Sequence, residues 1–195
     1  MGKQLEQISV ALGGNPNSGK TTFFNELTGA RQHVGNYPGV TVEKKEGYTS
    51  TDGKQIHIVD LPGTYSLTAY SQDEVVARDH LTESHVEAVV NIVDASNLER
   101  HLYLTVQLLE LGLPTCLALN MIDVADKRGI GIDTQKLSEL MGIPVIPTVA
   151  RSGKGKDQVV KEVIQLAESD SNQPQFKISY GDDIDEALIE MEAII

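Results

Sequence analysis

One cysteine, Cys116, stands in a chain of 195 residues. A single thiol excludes a disulfide framework and a paired-cysteine zinc site, and a small thiol inside an apolar strand suits a reducing compartment. Long apolar runs are also missing. None approaches the roughly 20 residues needed to cross a bilayer, and the N-terminus lacks the apolar core of a secretory leader. The chain as given is therefore expected to be soluble and cytosolic. Basic residues are scarce, with 16 Lys and Arg against 28 Asp and Glu and a formal charge of −12. They form no stripe, so the footprint of a nucleic-acid binder is absent and no nucleic-acid partner is expected. His33, His57, His80, His85 and His101 follow no metal-ligand spacing. Asp182, Asp183, Asp185 and Glu186 read as a helix start with a solvated face. No repeat or low-complexity tract occurs, and the length allows one α/β domain with a short appendage.

What is present begins at Gly14. The octapeptide Gly14-Asn15-Pro16-Asn17-Ser18-Gly19-Lys20-Thr21 follows the apolar run Ile8 to Leu12 and precedes a helix-like stretch. This is the G-x-x-x-x-G-K-[ST] phosphate loop in its strand-loop-helix setting. Its glycines let successive N–H groups curl around a phosphate, and the helix N-terminus adds positive charge. Lys20 reaches the β- and γ-phosphates, and the Thr21 hydroxyl is a ligand for Mg²⁺. The nucleotide-binding stretch is taken through Thr22.

Three later motifs choose the nucleotide. Asp60-Leu61-Pro62-Gly63 closes the run Ile56 to Val59, where Asp60 serves Mg²⁺ through water and the Gly63 N–H serves a γ-phosphate. Asn120-Met121-Ile122-Asp123 closes Cys116 to Leu119. The Asp123 carboxylate accepts two hydrogen bonds from guanine, whereas adenine leaves it unpaired, which a buried polar site rejects strongly. Val149-Ala150-Arg151 follows a third strand and offers a backbone N–H to guanine O6.

Apolar runs at 8–12, 56–60, 88–94, 115–121 and 144–148 read as strands, with helical patterns between them. Ser71-Gln-Asp-Glu74 has the form of a capping box, so a helix starts near residue 72. Further helices are expected over 98–111 and along the stripe Val159, Val160, Val163, Ile164, Ala167. The segment 42–50, the turn at 51–53 and the next strand suggest an edge hairpin. Alternating strands and helices imply a mostly parallel sheet with helices on both faces and the ligand at the strands' carboxyl ends. Residues 1–168 form the expected nucleotide-binding domain and 169–175 a linker. From 176 to 195 a tail carries the stripe Ile184, Ala187, Leu188, Met191 and Ile195. Docking of that helix on the sheet domain is the plain alternative to its being the start of a further module.

The stretches Gly14 to Gly29, Val34 to Glu43, Asp60 to Leu67 and Asn120 to Asp123 resemble the bacterial ferrous iron transport protein B family, over roughly residues 8 to 168. The resemblance implies a Ras-like P-loop GTPase fold acting as the cytosolic domain of a membrane protein for Fe²⁺ uptake. The partners it implies are the membrane-spanning remainder of the same transporter, at the cytosolic face of the inner membrane, with homo-oligomers left open. The tail resembles the opening helix of that family's helical module. Gly39, Val40 and Thr41 are then nucleotide contacts, with Thr41 a second Mg²⁺ ligand. Lys20, Thr41 and Gly63 are the groups expected to serve hydrolysis of GTP to GDP. The loop 31–41, with few apolar anchors, is expected to be ordered by the γ-phosphate, and 61–72 to be its companion switch.

Departures from the usual small-GTPase pattern carry further expectations. Thr64 stands where Ras-like proteins place a water-orienting Gln, so no side chain there serves catalysis and unaided hydrolysis is slow. Asn17 resembles the K⁺-binding asparagine of potassium-activated GTPases, with carbonyls near Gly35 and Tyr37 completing the shell. Met121 and Val149 replace a stacking Lys and a Ser, which implies fast GDP release. Two other readings compete: an RNA-associated or tRNA-modification GTPase, and a nucleotide switch that only binds partners.

Overall fold

The computed structural model describes residues 7–51, 53–169 and 179–192. Seven strands form one sheet: β1 (Gln7–Gly14), β2 (Gln32–Asn36), β3 (Glu43–Thr51), β4 (Lys54–Asp60), β5 (Ala88–Asp94), β6 (Thr115–Asn120) and β7 (Val145–Pro147). Their order across the sheet is β2-β3-β4-β1-β5-β6-β7. The five strands from β4 to β7 run parallel, and β2 and β3 add an antiparallel edge. The expected hairpin is therefore β3–β4.

Side chains alternate across this sheet. Val10, Leu12, Ile56, Ile58, Val90, Ile92, Cys116 and Ala118 face one core, with Phe23, Phe24, Leu27, Val159 and Val163. Those partners come from helices α1 (Lys20–Thr28) and α6 (Lys156–Glu168). Ala11, Val59 and Val89 face the other side, against Ala77 and Leu81 of α2 (Gln72–Glu83) and Leu104 and Leu108 of α3 (Leu98–Glu110). The period-2 split of one apolar run into two cores is what places helices on both faces. Two short helices not expected from the sequence, α4 (Ile122–Lys127) and α5 (Thr134–Met141), flank β6 and β7.

α2 begins where the capping box requires. Ser71 Oγ accepts from the Glu74 N–H at 3.2 Å, and Glu74 Oε2 accepts from the Ser71 N–H at 3.3 Å. Glu74 also accepts from the Ser66 hydroxyl at 2.8 Å and the Tyr70 N–H at 2.9 Å, gathering the whole preceding segment. The Ser66 hydroxyl, then these amides, hold its carboxyl below the usual range.

Residues 32–36 depart from the expected loop. They form β2, paired with β3 from Gln32↔Gly47 to Asn36↔Glu43. Gln-His-Val-Gly-Asn has no apolar alternation because this edge strand buries neither face. The C-terminal helix α7 (Asp182–Glu192) carries Ile184, Leu188 and Met191 exposed by 43–60%. Ile195 and most of the expected linker lie outside the described residues.

Candidate functional site

The phosphate loop leaves β1 at Gly14 in the middle of the sheet. A Cβ at Gly14 would stand 2.6 Å from the Ile92 carbonyl oxygen of the adjacent strand, so a side chain is excluded there. Gly19 has φ 88°, a left-handed conformation, and caps α1 without any side-chain acceptor. No acidic residue occupies the first turn of α1. The first N–H groups of α1 and its positive end are therefore open to an anion. Asn15 and Ser18 are fully buried, and the Asn15 amide and Ser18 hydroxyl have no hydrogen-bond partner.

Lys20 opens α1 and bends over the loop to Asp60. The two side chains are only 10% and 6% exposed, and Lys20 Nζ donates to Asp60 Oδ1. Asp60 stands opposite Leu12 in the parallel β1–β4 register, and Lys45 stands opposite it from β3. Burial pushes the Asp60 carboxyl above its ordinary range, and Lys20 pulls against that shift. After Asp60, the Leu61 N–H bonds to the Leu12 carbonyl at 3.0 Å and the Thr64 N–H to the Gly14 carbonyl at 3.3 Å. Gly63 thereby lies against Pro16, whose Cα would be 3.4 Å from a Cβ there.

The base end is assembled from three chain-distant pieces. Asn120, 2% exposed, donates from Nδ2 to the Ser18 carbonyl at 2.8 Å. Its Oδ1 accepts from the Ala150 N–H at 2.9 Å. Met121 stands in the left-handed region at φ 60°, which turns the chain into α4 and sets Asp123 in its first turn. A pocket there is lined by Gly19, Thr22, Asn120, Met121, Asp123, Val124, Val149, Ala150 and Arg151. Next to it a wider cleft is lined by Asn15, Pro16, Asn17, Gly19, Lys20, Thr21, Thr22, Gly63, Asp73 and Met121. Gly19, Thr22 and Met121 border both.

The two cavities thus bring together most of the phosphate loop, Gly63, Asn120, Met121, Asp123 and the 149–151 turn at the carboxyl ends of β1, β4, β6 and β7, whereas Gly14, Ser18, Asp60, Leu61, Pro62 and Ile122 line neither. The expected contacts on the β2–β3 turn are placed differently. Gly39 and Thr41 are exposed and Val40 half-buried, and no residue of 31–42 lines either cavity. Gly35 lies within β2, and the Tyr37 carbonyl accepts from the Val40 N–H at 3.3 Å. Sequence reading overlooked Asp73, which borders the cleft from the first turn of α2. Among the described residues, no group of three or more His, Cys, Asp and Glu is arranged to hold a metal ion, and no helix is long and apolar enough to cross a membrane.

Comparison with known proteins agrees with this arrangement. Residues 8–163 match the family model described as ferrous iron transport protein B. The chain is 55% identical over 155 residues to the Fe(2+) transporter FeoB of Shigella flexneri, covering 77% of this chain and 20% of that protein. It spans only this fifth of the curated relatives' length. The cytosolic domain of L. pneumophila FeoB superposes with a TM-score of 0.88 at 45% identity, over 95% of this chain and 72% of that one. The GDP form of the T. maritima FeoB cytosolic domain superposes at 0.92 with 39% identity, over 96% and 74%. The sheet and its helices are thus the Ras-like P-loop GTPase fold of those domains. A family match across the whole nucleotide-binding unit, with each motif at its strand end, means that this chain belongs to the ferrous iron transport protein B family.

Proposed function

We propose that this chain is the GTP-binding and GTP-hydrolysing cytosolic domain of a bacterial Fe²⁺ transporter, working with Mg²⁺ and stimulated by K⁺. The observation that carries the reading is the adjacency of the two cavities: one is lined by Lys20 and Gly63, the other by Asp123, and Gly19, Thr22 and Met121 border both. A guanine nucleotide fits it with the base at Asp123 and the diphosphate over the α1 N-terminus. Related S. thermophilus and T. maritima domains are described with GDP and GMPPNP respectively, which supports the same ligand here.

The residues fit a magnesium nucleotide. Lys20 and Asp60 are a buried, mutually neutralised pair beside the exposed Thr21 hydroxyl. Lys20 would donate to the β/γ-phosphate oxygens, and Asp60, Thr21 and Thr41 would be the residues that hold the metal. Bound Mg²⁺ neutralises phosphate charge. Gly63 offers its N–H to the γ-phosphate, and the α1 amides hold the β-phosphate. Asn17, exposed at φ 66° in the loop, presents a neutral carboxamide oxygen suited to K⁺, whereas the Gly35 and Tyr37 carbonyls lie in β2 and in the closed 37–42 turn, outside both cavities. Fe²⁺ is the cargo of the membrane part and has no site in this reading. The charge balance of −12 supports a small-molecule and protein role over an RNA-associated one.

Calorimetry with Mg²⁺ is the test. GDP binds with at least a hundredfold preference over ADP, and phosphate release from GTP is faster in K⁺ than in Na⁺ buffer, with Asn17→Ala losing the difference. Equal affinity for ADP overturns the guanine assignment, and equal rates in the two salts overturn the K⁺ site.

A further inference from the structure

Between Arg31 and Thr41 a single residue is buried. Tyr37 is 8% exposed, while its neighbours on both sides face solvent. Its ring meets the His80 imidazole edge-on, with centroids 5.9 Å apart and planes at 75°. His80 belongs to α2, the helix that follows the 61–72 segment, and its Nδ1 lies 3.1 Å from Ser84 Oγ. One aromatic contact therefore joins the 31–41 segment to the helix that follows the 61–72 segment.

The contact also fixes where Thr41 can be. The Tyr37 N–H bonds to the Val42 carbonyl at 3.0 Å, and the Tyr37 carbonyl takes the Val40 N–H. The turn 37–42 is closed on itself and carried by the Tyr37 ring. With the ring on His80, Thr41 is exposed and the turn contributes no residue to the nucleotide cleft. The phenol hydroxyl is buried without a hydrogen-bond partner, an unfavourable feature that opposes the contact. A contact favourable in its rings and unfavourable in its hydroxyl is one that a ligand can release.

We propose that Tyr37 and His80 form a latch that parks the 37–42 turn outside the cleft, and that a guanosine triphosphate must release it to engage Thr41. The inference rests on the GTP-binding reading. GDP has no γ-phosphate and makes no call on Thr41, so the latch lowers triphosphate affinity and leaves diphosphate affinity alone.

Three forms of the chain decide it: wild type, His80→Ala and Tyr37→Phe, each titrated with fluorescent GDP and fluorescent GMPPNP in Mg²⁺. Losing one aromatic pair in His80→Ala tightens GMPPNP binding about two- to tenfold, with GDP unchanged. Tyr37→Phe keeps the ring and removes the unpartnered hydroxyl, so it weakens GMPPNP binding, again with GDP unchanged. In hydrogen exchange on the GDP-bound chain, the Tyr37 and Val40 amides exchange faster in His80→Ala and slower in Tyr37→Phe. Unaltered or weaker GMPPNP binding by a His80→Ala chain that still binds GDP overturns the latch. So does a Tyr37→Phe chain that binds GMPPNP as well as wild type, and this variant decides alone if His80→Ala does not fold. Absence of GDP binding by the wild type overturns the underlying nucleotide reading instead.

Discussion

The Asn120 side chain donates to the Ser18 carbonyl across 102 positions of sequence, at 2.8 Å. The same amide receives the Ala150 N–H, so the phosphate loop, the base-reading strand end and the 149–151 turn share one buried hub. Asn120→Ala leaves the Ser18 carbonyl and the Ala150 N–H without partners, at about 1–3 kcal/mol each. The expected result is a melting temperature lower by about 5–15 °C and GDP affinity reduced at least tenfold. Thermal melts and GDP titration check it, and a variant with wild-type affinity would show that the hub is decorative.

Gly19 faces that hub from the other side. A Cβ on Gly19 would stand 2.3 Å from Asn120 Nδ2, at a φ of 88° that side chains resist. Gly19→Ala must displace the Asn120 amide and strain the cap of α1 together. Backbone strain alone costs about 1–3 kcal/mol. Stability is expected to fall by more than that and GDP binding to be lost, as urea unfolding and calorimetry would report. Gly29→Ala is the control: it also has positive φ, yet a Cβ there meets nothing within 4 Å, so it loses stability without losing nucleotide.

The motifs were readable because each is a local pattern tied to a strand end: Gly14 to Thr21, Asp60 to Gly63 and Asn120 to Asp123 all fall where an apolar run stops. The capping box at Ser71 and Glu74 was readable for the same reason. β2 was not, because an edge strand exposed on both faces leaves no periodicity in Gln32 to Asn36. Nor was Tyr37. One aromatic in a polar loop carries no sign of which helix it will meet, and its contact with His80 spans 43 positions. The burial of Asn15 and Ser18 depends on the curvature of the loop, which glycine spacing implies but does not locate.

Thr64 was expected to play no catalytic part, and its placement gives a reason. It is 5% exposed and its N–H holds the Gly14 carbonyl, so the residue braces the loop from behind. Thr64→Ala is expected to keep GTP turnover within about threefold of wild type while losing about 1 kcal/mol of stability. Single-turnover phosphate release against urea midpoints separates the two effects. A hundredfold fall in turnover would make the hydroxyl catalytic after all.

Asp123 is held by α4 with Lys127 one turn later, 3.6 Å away. Changing its carboxylate to a carboxamide keeps the shape and reverses half of the hydrogen-bond polarity. Asp123→Asn is expected to lose at least a hundredfold in GDP affinity and to gain xanthosine diphosphate, whose 2-carbonyl accepts what the new amide donates. Competition titrations with both diphosphates test this. Retention of GDP preference would remove Asp123 from the base site.

His101 supplies the pH dependence. It is 5% exposed, and its Nδ1 accepts the Asp94 N–H at 3.2 Å, so the ring is neutral with its proton on Nε2. Burial, then the nearby Arg100, hold its pKa below the ordinary 6.5, against the pull of Asp94. The unfolded chain therefore takes up this proton at a higher pH than the folded one. The stabilisation from His101 is complete above about pH 6.5 and is lost as pH falls toward the lowered value. Asp94, held low by Asn97 and Ser96 despite burial, contributes in a separate and more acidic window. His101→Gln should be about 1–3 kcal/mol less stable than wild type at pH 7.5, where the ring is a good acceptor. The gap should narrow at pH 5.5, because only the wild type has this proton to gain on unfolding. Urea midpoints of both chains at the two pH values measure the change, and the other histidines cancel in the difference. A gap of constant size would mean that His101 titrates alike in the folded and unfolded chain, and that burial of its ring does not shift it.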